Sequence, residues 1–187
     1  MLVDNGASSY RRFLEGDDSG IVEIVTEYKD GLTLFLNGYV GNLDMAEELM
    51  EDTFFKLMVK KPVFFSRYSF KTWLYTIGRN LALDYLRKHA RQPGIPVEDC
   101  ERLLLEEETL EKRYIREEHR LLLHQTLGRL KAEYREVLTL TYFEGLTNPQ
   151  AGRVMGKNKS QIEMLLYRAK QSLKKELEKE GFTYEDL

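Results

Sequence analysis

The stretch from Pro62 to Lys88 gathers the side chains of this sequence best suited to a polyanion with unpaired bases. Phe64, Phe65, Tyr68, Phe70, Trp73 and Tyr75 follow Lys60 and Lys61 and alternate with Arg67 and Lys71. Aromatic faces stack on unpaired bases for roughly 1 to 3 kcal/mol per base, while cations between them track the phosphates. A proline-containing aromatic loop cannot bury every ring, so Phe70 and Phe64 are assigned to the core and the others stay available. A second basic set lies in "LTNPQAGRVMGKNKSQIEMLLYRAKQSLKKEL", residues 146–177. There Lys157, Lys159, Arg168, Lys170, Lys174 and Lys175 are spaced for phosphate contacts around a helix start that carries Ser160 and Gln161. Catalytic chemistry has no comparable set. Cys100 is alone, His89, His119 and His124 lack metal-ligand spacing, and there is neither a nucleophile paired with a base nor a glycine-rich phosphate loop. The expectation is a binding protein, not an enzyme, with no metal and no cofactor.

The net charge of −3 conceals a segregation along the 187 residues. Residues 1–52 carry 3 Lys and Arg against 12 Asp and Glu, whereas 53–91 carry 9 against 1. Residues 92–120 return to 5 against 9, and 150–175 to 7 against 1. Two basic blocks divided by acid imply two contacts with a polyanion and an acidic surface for some other partner. No apolar run reaches the roughly 20 residues of a membrane span, and "MLVDNGASSYRR" lacks the apolar stretch of a secretory signal, so a cytoplasmic protein that does not engage membranes is expected.

Helical periodicity must position these residues, since apolar side chains recur at three and four and strand-like alternation never persists. The fold class expected is all-α, with two small helical domains joined by a linker: 1–91, an acidic linker 92–118, and 119–187. The prolines of "RQPGIPVED" mark the boundary. "DSGIVEIVTEYKDGLTLFLNGYV" suggests a helix pair with Ile21, Ile24, Val25, Tyr28, Leu32 and Phe35 facing one core. "DMAEELMEDTFFKLMVKK" suggests a helix capped by Asp44, with Glu47 closing a capping box and Glu48, Glu51 and Asp52 crowding its first turns. From Ser69 the wheel gives one apolar stripe of Phe70, Leu74, Ile77, Leu81 and Tyr85. Trp73, Asn80, Asp84 and Arg87 lie beside it, and Tyr75, Arg79, Leu83 and Leu86 on the far side, so something besides the core must cover this helix. In the C-terminal block Thr147, Pro149 and Gln150 open a short helix, Gly156 ends it, and Asn158 with Gln161 opens the next, a helix-turn-helix pattern.

Together "AEELMEDTFFKL", "FKTWLYTIGRNLALDYLRK", "YREVLTLTYFEGLT" and "LLYRAKQSLKK" resemble, in order and separation, the extracytoplasmic-function (ECF) branch of the sigma-70 family. The resemblance implies a transcription initiation factor that binds core RNA polymerase, through the clamp and flap regions of its large subunits, and directs it to promoter DNA. It implies core-polymerase binding at Glu47, Glu48, Glu51 and Asp52. It implies minus-ten DNA binding at Phe65, Arg67, Tyr68, Lys71, Trp73, Asn80, Arg87 and Lys88, with Pro62 to Ser69 capturing a flipped base. Minus-thirty-five binding would fall to Lys157, Lys159, Ser160, Gln161, Arg168, Lys170 and Lys174, and an anti-sigma protein is a partner common in the family. The chain departs from the family pattern in three places. Glu51 replaces a usual Gln, so clamp docking is expected to be more electrostatic. Lys131 follows Leu130 where proline is usual, so no helix break is visible there. Gln161, Ile162, Glu163, Met164 and Leu165 replace a usual Thr-Val-Lys-Ser-Arg run, so upstream reading is expected to be salt-sensitive and modestly selective, with Gln161 on adenine and Lys159 on guanine. Two other functions compete: a helix-turn-helix regulator that binds duplex DNA without polymerase, and a helical adaptor that binds only proteins.

Overall fold

A computed structural model describes residues 5–65, 67–89 and 126–179. The chain folds as helices α1 (Asn5–Leu14), α2 (Ser19–Val40), α3 (Leu43–Lys60) and α4 (Phe70–His89), followed by α5 (Ala132–Leu138), α6 (Asn148–Met155) and α7 (Lys159–Lys179). A π-helical turn, Thr139–Phe143, prolongs α5. The fold is all-α, as the periodicity predicts. Cys100 and the expected linker 92–118 lie outside the described residues.

The expected helix pair in 18–40 is one continuous helix, α2, which packs against both α1 and α3. Gly31 does not break it, because its cost of about 1 kcal/mol is spread over a long helix with Ile24, Leu32, Phe35 and Leu36 almost wholly buried. Ile21 and Tyr28 are buried as expected, and Val25 is half-buried against the same core. Gly20 lets α1 and α2 touch: a Cβ there would stand 2.2 Å from the Ser9 carbonyl oxygen. The chain leaves α2 through Gly41, at a left-handed φ of 63°, and enters α3 through Asn42. The cap of α3 is therefore Asn42, whose Oδ1 accepts from the Met45 N–H at 2.9 Å, and not Asp44, which falls in the first helical turn. The missing break before α5 is present after all. Lys131 itself takes the extended conformation, φ −55° and ψ 141°, that a proline would have imposed.

Aromatic rings close the far end of the first domain. Phe70 is fully buried, with Tyr10, Tyr28, Phe64 and Trp73 around it at centroid separations of 5.5 to 5.7 Å. The Tyr10 hydroxyl donates to the Pro62 carbonyl at 2.9 Å and so ties α1 to the loop before α4. Burial pushes the Tyr10 hydroxyl up from an ordinary 10.0 to about 12. The folded state thus holds a proton that the unfolded chain releases first. Its contribution is intact below the ordinary value near 10.0 and is lost as pH climbs toward about 12. Tyr10→Phe should cost about 1 kcal/mol at neutral pH by losing the hydrogen bond. Denaturant titrations at rising pH should also show a shallower alkaline loss of stability in the variant; parallel curves would assign the alkaline loss to other groups.

Candidate nucleic-acid interface

Helix α3 buries Leu43, Ala46, Leu49, Thr53, Phe54 and Leu57. Glu47, Glu48, Glu51 and Asp52 are all exposed on its other side, and no side-chain hydrogen bond or ion pair to another of the described residues fixes them. The same exposed side continues as Phe55, Met58 and Val59, at 59%, 40% and 54% exposure. At roughly 100° per residue these three fall within the arc of the four carboxylates. The surface is acidic at its N-terminal half and apolar at its C-terminal half. Sequence analysis found the acidic half and missed the apolar one, because Phe55 and Met58 sit in a run of large apolar residues that looks like core.

The loop into α4 alternates in and out. Pro62 and Phe64 pack inward while Val63 and Phe65 point to solvent, Phe65 at 74% exposure. Helix α4 then starts at Ser69, whose Oγ accepts from the Thr72 N–H at 3.3 Å. Three faces follow. The buried stripe is Phe70, Leu74, Gly78 and Ala82, whereas Ile77, Leu81 and Tyr85 of the expected stripe are only half-buried. The core is shifted because Gly78 lets α2 and α3 come close: a Cβ there would meet Leu32 Cδ1 at 3.1 Å and Thr53 Oγ1 at 3.4 Å. A second face runs along Trp73, Asn80, Asp84 and Arg87. Trp73 is half-buried in the aromatic cluster, Asn80, Arg87 and Lys88 are exposed, and Arg87 pairs with Asp84 at 3.0 Å in open solvent. Such a pair is worth little and yields readily to a phosphate.

The third face, Lys71, Tyr75 and Arg79, holds the second domain. The π turn after α5 delivers Glu144, whose carboxylate is 9% exposed, between α2 and α4. One carboxylate oxygen accepts from the Tyr75 hydroxyl at 2.6 Å and from Lys71 Nζ at 2.8 Å, and the Glu144 carbonyl also accepts from Lys71 at 2.8 Å. One turn farther along α4, Arg79 Nε donates to Glu136 at 2.7 Å and to the Tyr39 hydroxyl at 3.0 Å. Burial opposes the Arg79 charge, but Glu136 and Tyr39 outweigh it and hold the guanidinium above its ordinary value. Burial, then the Glu144 charge, drives the Tyr75 hydroxyl well up. At the loop, Gln150 Nε2 donates to Ser69 Oγ at 3.2 Å, and the Arg153 guanidinium lies 4.5 Å over the Tyr68 ring. The cover that α4 demands is thus protein at Tyr75 and Arg79. The expected minus-ten residues divide: Phe65, Arg67, Asn80, Arg87 and Lys88 are exposed, Trp73 is half-buried, and Tyr68 and Lys71 are engaged by the second domain.

In the second domain α6 and α7 form the helix-turn-helix. Gln150 Oε1 accepts from the Thr147 N–H at 2.8 Å, Gly156 ends α6 at φ 67°, and Asn158 and Gln161 cap each other reciprocally at 2.9 Å. Ile162, Leu165 and Ala169 seat α7 on its neighbours. Lys159, Ser160, Gln161, Arg168, Lys170 and Lys174 are exposed, and Lys157 is half-buried, paired with Glu133 at 3.0 Å. Lys159 reaches Glu163 at 3.7 Å, Lys174 reaches Glu178 at 3.8 Å, and Lys170 lies 5.1 Å over the Tyr142 ring. No helix among the described residues is long and apolar enough to cross a membrane. Nor do the described residues hold a group of His, Cys, Asp and Glu that could bind a metal.

A helical domain with an exposed acidic helix and an aromatic loop, joined to a helix-turn-helix, defines a two-domain DNA-binding protein. Comparison with known proteins gives its family. Sigma-70 region 2 matches residues 24–92 and sigma-70 region 4 matches 120–173. The ECF RNA polymerase sigma factor SigM of Bacillus subtilis is 27% identical over 82% of this chain and 93% of its own length. The RNA polymerase sigma-H factor of Pseudomonas aeruginosa is 27% identical over 89% and 91%. Among solved structures, the sigma factor RpoE of Bartonella quintana, in complex with the anti-sigma factor NepR, superposes with a TM-score of 0.67 at 24% identity, covering 83% of this chain and 95% of its own. CnrH, in complex with the cytosolic domain of CnrY, gives 0.62 at 21%, covering 93% and 95%. The chain belongs to the sigma-70 family, in its ECF branch. It is a transcription initiation factor that binds core RNA polymerase and directs it to promoters, and that family consists of non-enzymatic transcription factors.

The domain contact depends on Gly31. A Cβ there would stand 2.7 Å from the Tyr75 hydroxyl and 2.8 and 2.9 Å from the two Glu144 carboxylate oxygens. Alanine is the better helix former, so Gly31→Ala should leave helix content unchanged by circular dichroism. Overpacking of about 1 to 3 kcal/mol falls instead on the domain contact. Small-angle scattering should then report a larger radius of gyration than for the parent. An unchanged radius would mean that the contact accommodates the methyl group.

Proposed function

We propose that the two surfaces of the first domain divide the work of initiation: the exposed side of α3 docks on the polymerase clamp, and the loop with the solvent side of α4 takes the opened minus-ten strand. The observation that carries this division is the exposure of Phe65 at 74% beside a fully buried Phe70. A large ring held out in solvent, in a loop pinned by Tyr10 and by Phe64, gives a flipped base a stacking partner without unfolding anything. Arg67, Asn80, Arg87 and Lys88 lie exposed along the same region for the backbone. Trp73 supports the loop from the aromatic cluster. Tyr68 and Lys71 can serve DNA only when Arg153 and Glu144 release them, so full engagement of the strand goes with separation of the two domains.

The second domain contacts the upstream element through α7, with the polymerase flap as its protein neighbour. The chain works in the cytoplasm, as a binding protein and not as an enzyme, with the domain limits 1–91 and 119–187 that its composition suggests. RpoE was solved with the anti-sigma factor NepR, and an anti-sigma protein is the regulatory partner assigned here by that likeness.

Two measurements test the division. Glu48→Lys with Glu51→Lys should weaken core polymerase binding at low salt by about tenfold or more, equal to ~1.4 kcal/mol, with the helix content unchanged. Unchanged affinity would remove α3 from the docking surface. Phe65→Ala should depress initiation on duplex promoters far more than on a pre-melted template, with the melting temperature unaltered because the ring is outside the core. Equal defects on both templates would take the base-capture role away from Phe65. Trp73→Ala is expected to lower the melting temperature as well, as a member of the cluster.

A further inference from the structure

The side of α7 that faces directly away from its buried stripe carries no cation in its first three turns. With Ile162, Leu165 and Ala169 buried, a wheel of roughly 100° per residue puts Ser160, Met164, Tyr167 and Gln171 opposite them. Met164 is 53% exposed and Tyr167 67% exposed. Two large apolar side chains one turn apart on the outer line of a helix have no folding role there. The amide best placed to read a base by hydrogen bonding is drawn aside, since Gln161 Oε1 accepts from the Asn158 N–H in the helix cap, while Lys159 makes only an exposed 3.7 Å pair with Glu163.

Resting on the reading that α7 enters the major groove of the upstream element, we propose that Met164 and Tyr167 are its specificity-determining residues, reading the C5-methyl groups of thymines by apolar contact. In the major groove the methyl is the one apolar feature that marks a base pair, and it distinguishes thymine from all other bases. Three residues of helix advance roughly 4.5 Å, and successive base pairs are about 3.4 Å apart, so the two side chains meet neighbouring base pairs. Arg168 and Lys170, exposed one and three positions after Tyr167, supply the phosphate contacts that fix the register without reading sequence. Loss of the usual cations from this helix then changes the kind of reading, from hydrogen bonds to methyl recognition.

The test uses holoenzyme assembled from core polymerase and the full chain, on linear promoters selected from randomised upstream elements. Thymine should be enriched at neighbouring upstream positions. Replacing each such thymine by deoxyuridine removes only the methyl group and should lower initiation about fourfold per site, equal to ~0.8 kcal/mol, the worth of one buried carbon. Met164→Ala and Tyr167→Ala should each abolish the response at one position while keeping the melting temperature of the parent. Promoter-dependent initiation that ignores the methyl groups, or methyl sensitivity that survives in the double variant, overturns the assignment alone. Absence of any promoter-dependent initiation overturns the function on which it rests, and the assignment with it.

Discussion

A nearly buried carboxylate, Glu144, sits where the two domains meet, and the arrangement of both depends on its being matched there. Burying a charge costs several kcal/mol unless it is paired and hydrogen-bonded. Tyr75 and Lys71 match it from α4, and Gly31 in α2 leaves the space. Gly31, whose place in a long helix looks like a defect, is where a second domain closes on the first. The Glu136 and Arg79 pair repeats the logic one turn along, with Tyr39 as the added partner. Both acids come from the second domain and both cations from α4, so the contact is directional in charge and sets the register of one domain on the other.

Helix α4 carries this contact together with two other duties, and its faces keep them apart. The stripe from Phe70 to Ala82 belongs to the core. Lys71, Tyr75 and Arg79 belong to the neighbouring domain, and Asn80, Arg87 and Lys88 remain in solvent. A helix needing only a core and a solvent face would not place aromatic and cationic residues all around its circumference. The charge segregation along the chain fits the proposed division of labour, in which the acidic exposed side of α3 meets a protein and the basic residues of α4 left in solvent meet DNA.

The all-α class, the helix-turn-helix and its caps were legible in the sequence because each is a local signal, whereas α1 was not read and 18–40 was taken for a pair where one helix runs through Gly31. Thr147, Gln150, Gly156, Asn158 and Gln161 stand where capping chemistry needs them. The buried stripe of α4 was only half legible. A wheel counts apolar side chains and gives no weight to Gly78 and Ala82, which are buried because other helices approach closely. The cap of α3 was misplaced by two residues, since Asn42 and Asp44 are both competent and only the chain path chooses. Tyr75 and Arg79 were visibly not solvent residues, yet their partners lie 69 and 57 positions away and no spacing rule reaches that far. The outward line of Met164 and Tyr167 was obscured for a different reason: large apolar side chains at helical spacing resemble core, and their exposure of 53% and 67% is a property of the packed helix.

The claim on which all of this converges is that the chain confers promoter choice on RNA polymerase. Run-off transcription on a library of linear duplex promoters, with core enzyme alone and with the chain added, measures it most directly. Discrete transcripts should appear only with the chain and start at fixed distances downstream of shared elements. The same products with and without it would contradict the account.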